Sequence, residues 1–214
     1  MSNPTTKFHP ILFSTPMIQA IIEGKKTQTR RVVKLPRFHP FRVEKQIKML
    51  TIKDWILYDG NNENIGTIKE NYKVGDVLWA RETFASKEIN EEPPGVKAHY
   101  FASDSFASSK WKPSIHMPKE FCRIFLKVKS VRIERLMDIR EEDAKKEGVK
   151  MLPNGSYRNY HEEESEQNHK YTKEAKPSFI TLWESIYGTG TWEFNPYVFV
   201  YEYERIEKPL DFIV

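Results

Sequence analysis

A chain of 214 residues that is 39% apolar and 13% aromatic can bury a sizeable core, which excludes a disordered chain and fits a single domain carrying insertions. Its net charge is only +4, yet nine Lys or Arg against two Glu lie between Glu23 and Lys48, a local +7 that leaves the remainder at −3. Charge concentrated in this way points to an anionic partner. No apolar run approaches the roughly 18 residues that a spanning helix requires, so no membrane partner is expected. Residues 1–10 lack the apolar core of a secretory signal, and the one cysteine, Cys122, excludes an internal disulfide. Together these predict a reducing, cytoplasmic setting.

In chain order, Thr15 and Pro16 open a helix as N-cap and first residue. Met17, Ile18, Ile21 and Ile22 follow at helical spacing, and Gly24 stops it. The basic octapeptide Gly24-Lys25-Lys26-Thr27-Gln28-Thr29-Arg30-Arg31 then reads as a loop. Residues 34–70 read as an insertion, with alternating stretches from Gln46 to Tyr58 and a hairpin turn at Asp59-Gly60-Asn61-Asn62. A second turn, Lys73-Val74-Gly75-Asp76, leads into a strand over Val77-Leu78-Trp79-Ala80, and a shorter strand is predicted over Ala98–Ala102. The clearest strand is Cys122–Leu136, where Ile124, Leu126 and Val128 alternate with cations. The parity shifts near Ser130, which predicts a bulge.

Asp138 and Glu141 resemble a capping box for a second helix that ends at Gly148. A polar excursion from Pro153 to Lys176 precedes a third helix carrying Phe179, Ile180, Leu182, Trp183 and Ile186. Tyr197–Tyr203 closes the chain as a strand. Many short strands and three brief helices, without a strand–helix rhythm, predict an α+β fold: a small mixed barrel with helices packed at its ends. There is no internal repeat.

Several residues are candidates for chemistry on their type alone. Lys25, Arg30 and Arg31 suit phosphate contact or a solvated face. Trp79, Tyr100, Phe101 and Trp111 suit base stacking or the barrel core. Arg81 and Glu82 read as an ion pair at a cleft edge or as substrate contacts. His116, in a proline-bounded turn, reads as a substrate contact or a packed histidine. Cys122 reads as a small packed side chain. No His/Cys/Asp cluster has metal spacing, so neither metal nor cofactor is expected. His161 and His169 flank an acidic run read as solvated.

The octapeptide also fits Gly-x-Lys-x-x-Thr-x-Arg, and with it the chain resembles the ASCH domain, a branch of the PUA-like superfamily. Supporting segments are Lys73–Leu78, the strand from Cys122 and the helix ending Asp143-Ala144-Lys145-Lys146-Glu147-Gly148. Arg81-Glu82-Thr83-Phe84, Pro113–Pro118 and Leu182-Trp183-Glu184-Ser185-Ile186 are similar to the larger ASCH proteins often encoded by phages and prophages. The excursions near 35–70 and 150–175 lie outside the small ASCH domain.

This resemblance implies a PUA-like β-barrel with a cleft, and a nucleic-acid partner, RNA ahead of DNA, or a modified nucleoside. One small bacterial branch hydrolyses the amide of N4-acetylcytidine, and its catalytic Lys, Thr and Glu fall on Lys26, Thr29 and Glu147 as base, nucleophile and proton donor. Arg31 matches the signature arginine; Arg30 replaces a residue often apolar in that branch. A threonine hydroxyl needs a neighbouring base, and a lysine becomes that base only when desolvation or nearby cations depress its pKa. Three readings follow: a hydrolase of an N-acylated base or nucleoside, a non-catalytic nucleic-acid or nucleotide binder, and a phage accessory protein that meets another protein through its acidic excursion.

Overall fold

One face of β12 is aromatic and the other aliphatic, and that alternation organises the computed structural model, which describes residues 6–34, 46–49, 55–58, 61–89, 95–103, 110–161 and 171–212. In chain order the elements are β1 (Phe8–Leu12), α1 (Thr15–Ile22), β2 (Gln28–Val32), β3 (Gln46–Met49), β4 (Trp55–Tyr58), β5 (Asn64–Ile68), β6 (Val77–Arg81), β7 (Phe84–Ile89), β8 (Gly95–Tyr100), β9 (Phe125–Arg135), α2 (Glu141–Lys146), β10 (Tyr157–Arg158), β11 (Tyr171–Thr172), α3 (Ala175–Tyr187) and β12 (Tyr197–Ile206). The fold is α+β, built on a five-stranded mixed sheet of order β1-β6-β9-β12-β2. β1 runs parallel to β6, and the other pairings are antiparallel.

β12 lies between β9 and β2, so both its edges are paired, and its two faces meet different cores. Phe199, Tyr201 and Tyr203 enter one core with Ile18 and Ile21 of α1, Leu57 of β4, Ile68 of β5 and Leu126 of β9. Val198 and Val200 enter a second core with Ala144 of α2 and Phe179, Leu182 and Trp183 of α3. The period of two in β12 thus decides which layer covers which face. A third cluster gathers Val77, Phe84, Met117, Phe125 and Phe212.

The bulge expected near Ser130 is present. Glu202 faces Ser130 and Tyr203 faces Val128, which leaves Lys129 as the extra residue on β9. β4 and β5 pair antiparallel on either side of the turn expected over 59–62, and the insertion holds a three-stranded sheet, β3-β4-β5. Residues 35–45, 162–170 (His169 among them) and 59–60 lie outside the described residues. At the base of the second excursion β10 pairs with β11, and His161, expected to be merely solvated, meets Glu184 at 3.0 Å.

Several local expectations need correction. Only residues 24–27 of the octapeptide lie outside regular structure; from Gln28 onward the chain is β2, paired with β12. Ser14, not Thr15, is the N-cap of α1. Asp138 ends a 3-10 turn over Leu136–Asp138 and does not cap α2, whose N-cap is Arg140. The Glu141 carboxylate instead accepts the N–H groups of Ala175 and Lys176 at 2.6 and 2.9 Å. It caps α3 across space, satisfying two orphan donors of that helix. The short strand expected over Ala98–Ala102 is β8, Gly95–Tyr100, paired with β7.

The edges of the main sheet are β1 and β2. The Arg31 side chain of β2 reaches across to β1, where Nη2 donates to the Leu12 carbonyl at 2.9 Å. Among the described residues, no helix is long and apolar enough to cross a membrane.

Candidate functional site

Two helix ends meet around Lys26. α1 stops at Ile22, and Gly24 turns the chain with φ +70°, a value that favours glycine. The N–H groups of Lys25 and Lys26 both donate to the Ala20 carbonyl, and Thr27 N–H donates to the Lys146 carbonyl at the end of α2. This locks the strand entry against α2 and directs Lys26 inward, where its side chain is 0% exposed. Glu147 follows α2, and Gly148 has φ +81°. A Cβ on Gly148 would lie 2.7 Å from Lys26 Cβ and 2.8 Å from Ala20 Cβ, so both conformation and space require glycine there.

A charge network, buried at Lys26, Glu147 and Arg30 and reaching solvent at Arg132 and Glu202, spreads from this junction. Lys26 Nζ donates to the Glu147 carbonyl at 2.8 Å and to Glu147 Oε2 at 2.9 Å. Arg30 Nη1 donates to Glu147 Oε1 at 2.8 Å, while its Nε and Nη2 donate to Glu134 Oε1 at 3.1 and 2.5 Å. Arg132 then bridges Glu134 and Glu202 at 3.1 and 2.7 Å and reaches Asp143 at 3.4 Å. Charges taken this far from water persist only when each meets a partner.

Burial lowers the Lys26 pKa from its ordinary 10.5; Glu147 opposes the shift and the Arg31 and Arg30 charges add to it. Burial, then the Glu147 charge, raises the Tyr203 phenol well above its ordinary value.

This lowering has a measurable sign. Between the lowered value and 10.5 the unfolded chain holds a proton on Lys26 that the folded chain lacks, so this group makes stability rise with pH across that window. Denaturant titrations at a series of pH values approaching 10 are therefore expected to show wild type gaining stability relative to Lys26→Met, by at most about 1.4 kcal/mol per pH unit. Parallel profiles for the two proteins would contradict the assignment.

Beside the network opens a cavity of about 350 Å³, within the size range of small-ligand sites. Thr29, Arg30, Arg31 and Glu147 line it together with Ser14, Ser114, Phe13, Phe179, Trp183 and Tyr187. Trp183 and Tyr187 stack with ring centroids 4.2 Å apart and planes at 28°. Lys26 Nζ stands 5.8 Å from the centre of the Phe13 ring, just behind the wall. Thr29 is 3% exposed, and no hydrogen bond engages its hydroxyl among the described residues. Among the described residues, three buried side-chain polar atoms have no hydrogen-bond partner: Gln28 Oε1, Arg31 Nε and Trp183 Nε1. Each costs about 1–3 kcal/mol when left unmet, and two of the three belong to residues lining the cavity.

The predicted site residues separate into two groups. Lys26, Thr29, Glu147, Arg30 and Arg31 come together. Arg30, expected to meet a phosphate, has its guanidinium committed to Glu134 and Glu147 instead. Lys25 pairs with Glu23 at 2.7 Å on the surface. Three of the four octapeptide cations thus face carboxylates, Lys25 at the surface and Lys26 and Arg30 in the interior.

Trp79, Arg81, Glu82 and His116 do not line the cavity. Trp79 packs near Phe212 at 6.3 Å. Arg81 donates to the carbonyls of Met117 and Ile115. It does not pair with Glu82, which takes two 2.8 Å bonds from Arg123. His116 is exposed in a 3-10 turn. Phe101 and Trp111 meet edge to face at 5.1 Å, and Tyr100 OH donates to the Phe121 carbonyl. Cys122 is buried, its thiol donates to the Ile124 carbonyl at 3.3 Å, and burial pushes its pKa up to about 11, the state of an inert structural thiol.

Sequence reasoning missed the aromatic wall of Phe13, Trp183 and Tyr187 and the partner carboxylates Glu134 and Asp143. Phe179, Leu182, Trp183 and Ile186 have the spacing of a core-facing stripe, and hydrophobic periodicity does not distinguish a core from a cavity wall. Arg132 and Glu134, two apart on β9, share one face, which was the available signal for a charge ladder. Among the described residues no group of three or more His, Cys, Asp or Glu is arranged to hold a metal ion. No family model, curated protein or solved structure matches this chain.

Proposed function

We propose that this chain is an ASCH-type protein of the PUA-like superfamily whose cavity takes a single modified base or nucleoside. The observation that carries this reading is that Thr29 and Glu147, from distant parts of the chain, line one hollow, with Lys26 bonded to Glu147 behind it. The hollow has aromatic walls suited to a planar ring and a polar end of hydroxyl, carboxylate and guanidinium that would orient its substituents. The pairing of Lys25, Lys26 and Arg30 with carboxylates favours this reading over a polyanion-binding surface built on the octapeptide.

The Lys26–Glu147 bond favours a second reading, amide hydrolysis at the same site. Moving one proton along this 2.9 Å hydrogen bond yields an amine and a carboxylic acid at once, the base and the acid that acyl transfer requires. Burial favours the unprotonated amine on Lys26. The amine takes the Thr29 hydroxyl proton, the oxygen attacks the acyl carbon, and the carbon–nitrogen bond breaks as Glu147 protonates the departing amine. Water then cleaves the threonine ester to release the acid.

The test combines calorimetry and chromatography with cytidine, N4-acetylcytidine and other acylated nucleosides. Binding of an acylated nucleoside is expected, with any turnover abolished in Thr29→Val. Binding without turnover retains the nucleoside site and eliminates the hydrolase. No binding by any compound overturns both readings.

A further inference from the structure

Resting on the reading of the cavity as a nucleoside site, we infer that its ligand is a nucleoside monophosphate, its phosphate held by Arg31 and its base offering an acceptor to Trp183. Arg30 and Arg31 are the two cations lining the cavity, and they are in opposite states. Arg30 donates from Nε, Nη1 and Nη2 to two carboxylates. Arg31 meets no carboxylate among the described residues: its Nη2 donates to a neutral carbonyl, that of Leu12, and its Nε is buried without an acceptor. A guanidinium carries five donors in a planar fork matched to phosphate or carboxylate oxygens, and one neutral carbonyl leaves most of that capacity unused.

Ser14 and Ser114 line the same hollow and add neutral donors suited to the remaining oxygens. Glu147 itself does not take an anion, because both its oxygens already accept from Lys26 and Arg30 and its charge repels a second negative group. The ligand's charge therefore belongs at Arg31 and its ring between the aromatic walls. Trp183 is 3% exposed, lines the cavity, and among the described residues has no acceptor for its indole N–H. A pyrimidine or purine supplies such an acceptor as a carbonyl oxygen or ring nitrogen.

Calorimetry with cytidine, its 5′- and 3′-monophosphates and inorganic phosphate alone tests this on the intact chain, in wild type, Arg31→Lys and Arg31→Gln. One monophosphate is expected to bind wild type at least about tenfold more tightly than cytidine, the scale of a charge-assisted contact. Arg31→Gln should reduce that ratio to about twofold or less, with Arg31→Lys between, while phosphate alone binds more weakly than the nucleotide. Equal wild-type affinities for cytidine and both monophosphates overturn the inference and leave the nucleoside site standing. A ratio that survives in Arg31→Gln also overturns it. Failure of cytidine and both monophosphates alike overturns this inference, and the nucleoside reading falls with it only if N4-acetylcytidine, titrated beside them, also fails to bind.

Discussion

Glu147→Leu is expected to destabilise the protein by about 3–5 kcal/mol, the cost of leaving a buried charge without its partner. The Lys26 side chain is fully buried and the Arg30 side chain is 1% exposed. Arg30 would keep Glu134, but Lys26 would retain only the main-chain carbonyl of residue 147. The lysine is therefore the group stranded by the substitution. The double variant Lys26→Met with Glu147→Leu removes both charges and keeps the volume. It is expected to recover most of the loss, because replacing a whole buried pair by apolar groups is often close to neutral. Urea denaturation of wild type, both single variants and the double variant measures this cycle. Additive losses would mean that the two side chains do not interact energetically.

Gly148→Ala is expected to cost about 2–4 kcal/mol, from two sources that a control separates. An L-residue held at φ +81° loses about 1–2 kcal/mol on conformation alone. The new methyl would also sit 2.7 and 2.8 Å from Lys26 Cβ and Ala20 Cβ, atoms fixed by their own backbones, and such overpacking costs about 1–3 kcal/mol. Gly24 has a similar φ of +70° but open space around its missing Cβ. Gly24→Ala should therefore show only the conformational part, about 1 kcal/mol. Equal losses in the two variants, read from thermal or urea unfolding, would show that the close approach beneath Lys26 is not a constraint.

The parts of the fold legible in the sequence are those governed by local periodicity. β9 was readable because Leu126 and Val128 alternate with Lys127 and Lys129, and even the misplaced Lys129 left its mark as a change of parity. β1 was not readable: it is short, contains Pro10, and pairs in parallel with β6 far along the chain. Such a pairing leaves no local pattern, and the proline is tolerated because β1 is an edge strand. β2 was misread as a loop because Gln28, Thr29 and Arg30 are polar yet buried. Their hydropathy says surface; what buries Arg30 is a pair of carboxylates contributed by β9 and by the end of α2.

The site shows the same division. Spacing alone could not bring residue 147 to residue 26; the likeness of the octapeptide to a known signature suggested it. The aromatic wall of α3 was hidden because a stripe facing a cavity and a stripe facing a core have one period. The four cations of the octapeptide read as one basic patch, whereas three-dimensional pairing gives Lys25 to Glu23, Lys26 to Glu147 and Arg30 to Glu134 and Glu147. Of the four, Arg31 alone meets no carboxylate among the described residues; it donates to the Leu12 carbonyl and stands over the Phe13 ring.

The most direct measurement is a titration of N4-acetylcytidine into isotope-labelled protein, followed through the backbone amides and the tryptophan indole N–H resonances. Shifts are expected at Thr29, Arg31 and Tyr187 and at the Trp183 indole, saturating together with a single affinity. No shift at those residues, or shifts confined to a surface such as that around Arg205 and Lys208, would contradict a nucleoside site between α3 and β2.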